Sequence, residues 1–146
     1  MCMKKLMLSL FVVTFMLCGC ITKVMVDSPD NPVAVYDDIT HDFSGKITGS
    51  LANVFKATNL ALERDMKFFR AGQIPKDNEW FIYARAIRDL QIVVNLKVDA
   101  KKPEVVNVTI SYGEDDLVTC QRLFKAILDN MKAYQQMLLV GAIRRI

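Results

Sequence analysis

The sequence predicts an α+β fold, a two-layer sandwich in which an antiparallel sheet of four to five strands carries two helices on one face. Three observations carry this reading. Residues 90–98 and 105–112 alternate apolar with polar side chains, the period of a half-buried strand. Residues 51–64 and the run from Leu117 to Tyr134 repeat apolar positions every three or four residues, the period of a helix with one buried face. The elements fall in the order β-α-β-β-β-β-α, and the short turns between the later strands require antiparallel pairing.

Taken in order, the first strand spans 38–47, where the odd positions include Ile39, His41, Phe43 and Ile47. Thr48-Gly49-Ser50 breaks it, and Ser50 is suited to cap the following helix. Leu51, Val54, Phe55, Thr58 and Leu62 share one face of helix 51–64. Met66–Ala71 is predicted as a short strand, and 72–78, with Gly72 and Pro75, as a loop. Strands follow over 79–87 and 90–98, joined at Arg88-Asp89. Asp99-Ala100-Lys101-Lys102-Pro103 is a hairpin turn before strand 105–112. Gly113 ends that strand. Glu114, Asp115 and Asp116 then open the last helix, where acids suit the positive end of the helix dipole. Cys120, Phe124, Ile127, Leu128 and Met131 continue its buried stripe.

The first twenty residues have a different character. Lys4 and Lys5 precede a nearly unbroken apolar run from Leu6 to Leu17, which is too short to span a bilayer comfortably. Leu17-Cys18-Gly19-Cys20 follows. This arrangement resembles the signal and lipobox of bacterial lipoproteins. The resemblance implies cleavage between Gly19 and Cys20 and lipidation of Cys20. Two or three acyl chains on that residue give stable anchoring where one is marginal. Ile21 stands where Asp would favour retention at the inner membrane. The expected address is therefore the cell envelope, on the periplasmic face of the outer membrane where the host has one. The organisation read from the chain is a cleaved signal over 1–19, a lipidated tether over 20–37 around Pro29 and Pro32, a domain over 38–136, and an apolar and basic C-terminal tail over 137–146.

The mature segment also carries a resemblance. Ser50-Leu51-Ala52-Asn53-Val54-Phe55-Lys56-Ala57-Thr58 and Ile110-Ser111-Tyr112-Gly113-Glu114-Asp115-Asp116 are similar to segments of a family of small bacterial lipoproteins whose shared domain has no assigned function. The resemblance covers residues 38–132. It implies a lipoprotein with this helix-and-hairpin order, and it supplies no catalytic residues.

Without Lys4 and Lys5, seventeen basic residues face sixteen acidic ones. That balance gives no basic stripe for phosphates, and no nucleic-acid partner is expected. Candidate chemistry is sparse. His41, the only histidine, lies near Asp37 and Asp42, but one histidine cannot make the usual zinc triad. Glu114, Asp115 and Asp116 lack the alternating spacing of a calcium loop. Glu63 and Asp65 sit beside Arg64 and Lys67 as a solvated charge cluster. Cys120 falls in core register and is expected to be a buried, inert thiol. No cofactor or metal is expected, and no nucleophile–base pair suggests an enzyme. The expected role is a non-enzymatic envelope component, held to a membrane by lipid, that binds an envelope protein or polymer. Trp80 and Phe81 on adjacent strand positions, with Leu138 and Leu139 in the tail, are the candidate binding surface. The alternative is a small-ligand or lipid carrier with a cavity between sheet and helices.

Overall fold

The computed structural model describes residues 21–24, 34–113 and 116–143, with side chains described over 34–113 and 116–137. The strands are β1 (Ile21–Val24), β2 (Ala34–Asp37), β3 (Asp42–Thr48), β4 (Phe69–Lys76), β5 (Glu79–Arg85), β6 (Gln91–Val98) and β7 (Val105–Tyr112). Helix α1 (Leu51–Leu60) runs into a π-helical turn, Ala61–Asp65, and helix α2 spans Leu117–Ile143. The strands form one antiparallel sheet in the order β1-β2-β3-β7-β6-β5-β4. The fold class is therefore α+β with an antiparallel sheet and two helices, as the alternation and helical periods require.

The period of two sorts each strand into an inner and an outer face. Phe43, Gly45 and Ile47 of β3 pair with Ile110, Val108 and Val106 of β7. Ile92, Val94 and Leu96 of β6, then Ile82 and Ala84 of β5, continue the same face, and all are buried. Both helices cover it. Phe124 of α2 meets Phe43 with ring centroids 5.4 Å apart, and Val54, Ala57, Leu62, Leu123 and Ile127 fill in around them. Gly45 is dictated by this contact, because a Cβ there would lie 2.3 Å from the Phe124 ring.

Helix starts and turns are fixed locally. The Ser50 hydroxyl accepts from the Asn53 amide at 3.3 Å, and Asp116 accepts from the Thr119 amide at 3.0 Å, so both helices begin on capping side chains. Asn130, buried in α2, donates to the carbonyl of Ala57 at 3.4 Å and to the carboxylate of Asp65 at 2.8 Å. Arg64 in turn donates to Asn130. This polar clasp joins α2 to the π turn that ends α1.

Several boundaries differ from the sequence reading. The sheet has more strands than the four to five expected, because pairing extends to both sides. The segment read as a tether through residue 37 contains two paired strands. Ile21 pairs with Asp37, and Ala34 and Tyr36 are buried. Pro29 and Pro32 lie outside the described residues, and the sheet is described again from Ala34. The strand read as 38–47 begins at Asp42, and 38–41 is a turn closed by the His41 amide donating to the Asp37 carbonyl at 2.8 Å. The loop read as 72–78 is largely strand. β4 carries its irregularity between Arg70 and Gly72, and it accommodates Pro75 because it is an edge strand. The 79–87 strand stops at Arg85, ahead of a short 3₁₀ turn, Ile87–Asp89. The tail read as beginning at residue 137 is helical through Ile143, continuous with α2.

Candidate functional site

The outer face of the sheet is covered by no described element. Ladders of cross-strand neighbours line it. In one, Ser44, Thr109, Asn95, Phe81 and Ile74 follow one another from β3 to β4. In the next, Asp42, Ser111, Val93, Tyr83 and Gly72 do the same. The apolar members meet at the β4–β5–β6 corner. Phe81, Tyr83 and Val93 are half-buried there, Ile74 is exposed, and Gly72 leaves open space above the backbone. Toward β3 the same ladders become hydroxyl-rich.

The polar groups are partly committed to one another. The Ser44 and Thr109 hydroxyls lie 3.5 Å apart. Asn95 Nδ2 donates to Glu79 Oε1 at 2.9 Å, and Lys97 Nζ lies 3.9 Å from the same oxygen. Asn95 Oδ1 is buried and accepts no hydrogen bond. An acceptor left in that condition costs about 1–3 kcal/mol unless a donor reaches it. Lys76 Nζ stands 4.8 Å from the Phe81 ring centroid, a cation–π contact at the rim. The face thus offers an apolar corner and an open notch at Gly72. This arrangement suits non-covalent contact with an apolar ridge.

The sequence candidates distribute unevenly over this surface. Phe81 lies on it. Trp80 does not: it turns to the inner side, where its ring packs edge-on against Phe55 of α1 at 4.2 Å between centroids. Strand parity put the two aromatics on opposite faces, and the Phe55 contact decides which one is covered. Leu138 and Leu139 lie on the backbone of α2, and their side chains are outside the described residues, as are Gly19 and Cys20. Ile74, Val93 and Asn95 were missed as surface partners of Phe81. Their odd or even position on each strand was readable, but the register that aligns them was not.

The remaining candidates fall apart as chemical groups. His41, Asp37 and Asp42 do not share a strand face, because His41 occupies the turn with φ 58°. Its Nδ1 lies 3.4 Å from the Tyr36 hydroxyl. Glu114 and Asp115 are outside the described residues. Asp116 is a helix cap, and the hydrogen bonds from the Thr119 side chain and amide hold its carboxyl below the usual carboxylate range. Asp65 is likewise lowered, first by its hydrogen bond from Arg64. Glu63 lies 4.0 Å from Arg70. Cys120 is buried, and desolvation pushes its thiol up to about 12. Among the described residues no three His, Cys, Asp or Glu side chains gather to hold a metal, and no helix is long and apolar enough to cross a membrane. Phe43, Phe124, Leu62 and Leu96, all fully buried, pack between sheet and helices. The chain matches no known protein-family model and no curated protein.

Proposed function

We propose that the chain is a lipid-anchored envelope component that binds another envelope protein or an envelope polymer through the outer face of its sheet. The observation that carries this reading is the corner of Ile74, Phe81, Tyr83 and Val93, which no described element covers. Contiguous apolar patches rimmed by polar groups mark interaction surfaces. The anchor is supported by the order of charged, apolar and small residues through Cys20. The address follows from Ile21, which favours the outer membrane of a two-membrane host.

The test is a photo-crosslinking side chain placed at position 81 or 93 in the host that makes the protein. Position 101, on the β6–β7 hairpin, serves as the comparison. A discrete adduct from 81 and 93 and none from 101 is expected. Equal yields at all three positions would remove the sheet face as the binding surface.

A further inference from the structure

The two ends of the sheet are unlike. The register brings the start of β1, the 38–41 turn, the Ala86–Leu90 connection, the start of β4 and the start of α2 to one end. Ile21 pairs with Asp37, Asp37 with Asp42, Asp42 with Ser111, and Arg85 with both Gln91 and Phe69. At this end four large apolar side chains stand in solvent: Ile39 at 71% exposed, Phe69 at 74%, Ile87 at 85% and Val118 at 62%. The opposite end is closed by the polar Asp77-Asn78 turn and the 99–104 hairpin. Among the described residues, Leu60, Ile74 and Met137 are the other exposed large apolar side chains.

The apolar tips stand on turns closed by local hydrogen bonds. The amides of Ile39 and Thr40 both donate to Asp37 Oδ1, at 2.8 and 3.3 Å, an Asx turn that fixes the direction of Ile39. Arg85 Nη1 donates to the carbonyl and the carboxylate of Asp89, each at 3.1 Å, and so clamps the turn that presents Ile87. Among the described residues the non-glycine positions with positive φ are His41, Lys67, Arg88 and Asp89, all in connections at this end. Left-handed backbone at non-glycine positions has a cost and persists where surrounding contacts hold it. Here the Asp37 and Asp89 turns close on local hydrogen bonds, and Ile39 and Ile87 are left outward.

We infer that this end is the surface on which the domain sits on the bilayer, with Ile39, Ile87, Val118 and Phe69 entering the interfacial region. The inference rests on acylation at Cys20, as proposed above. Cys20 directly precedes Ile21, and consecutive Cα atoms are about 3.8 Å apart. Ile21 is already paired in the sheet, so the acyl chains emerge within a residue of this end and the bilayer lies against it. Apolar side chains on the same end then lose water to the interface instead of standing exposed. Acids outnumber bases at this end, Asp37, Asp38, Asp42, Asp89 and Asp116 against Lys67, Arg85 and Arg88, so the fit is to a zwitterionic rather than an anionic headgroup surface.

The full-length acylated protein, reconstituted in phosphatidylcholine–phosphatidylethanolamine vesicles, tests this. Ile39→Cys, Ile87→Cys and Lys101→Cys variants each take an environment-sensitive fluorophore at an exposed position, and mass spectrometry of the N-terminus reports the acylation. Blue-shifted emission at 39 and 87, quenched by brominated acyl chains, with water-like emission at 101, is the expected result. Water-like emission at 39 and 87 on an acylated chain overturns the seating while the anchor stands, and so does equal quenching at 101. An unmodified N-terminus instead overturns the anchor reading on which the inference depends.

Discussion

The inner and outer faces of this sheet are drawn from the same strands, often from adjacent residues, yet they obey different constraints. On the inner face every position is fitted to a neighbour: Gly45 exists because the Phe124 ring lies on it, and Trp80 is closed off by Phe55. On the outer face side chains meet cross-strand and diagonal neighbours within the sheet, with no described element above them, and Gly72 faces open space. The inner face therefore stores stability, and the outer face is free to change. Function that depends on recognition belongs on the second.

Mutations can break or sharpen that contrast. The largest effect is expected from Phe124→Ala, which empties the centre of the inner layer and should cost about 3–5 kcal/mol by denaturant unfolding. Gly45→Ala forces a methyl into the Phe124 ring and should cost about 1–3 kcal/mol. A smaller loss in a Phe124→Leu background would show that the clash is with this ring. Asp116→Ala removes the cap that starts the covering helix and should cost about 1 kcal/mol. The Asp116 carboxyl is held below its ordinary pKa, so its contribution is present above the unfolded carboxylate range and lost as pH falls through the folded value. The stability difference between Asp116→Ala and the parent should accordingly narrow below about pH 4. Phe81→Ala, on the outer face, should change stability by under about 1 kcal/mol while abolishing the crosslinked adduct at position 93. If Phe81→Ala destabilised as strongly as Phe124→Ala, the division of labour between the faces would fail.

How far the sequence disclosed this structure depended on whether one strand or a pairing decided the matter. β7 was legible to the residue, because Val106, Val108 and Ile110 alternate without interruption and Gly113 ends the run. β4 was cut short because Gly72 and Pro75 signal a loop. They are tolerated here by an edge position, and edge positions are set by long-range topology. β2 was lost in a proline-rich reading, although Ala34 and Tyr36 are core residues. Ile39 and Ile87 were taken as strand positions. Only the turns at Asp37 and at Arg88-Asp89 reveal them as outward tips. The outer face was half legible: Phe81 could be placed opposite Trp80, but neither the buried side nor the alignment with Val93 and Asn95 follows from one strand.

Cys120 gives the molecule a built-in gauge of its own integrity. Buried in α2 with its thiol pushed up to about 12, it is almost wholly protonated at neutral pH and sealed from reagents, so disulfide exchange must wait for the helix layer to open. Under oxidising conditions an intact copy stays silent, and a copy that has lost its packing becomes reactive. The rate at which a thiol reagent consumes Cys120 in the native protein would then report how often the inner layer comes apart, with no probe added.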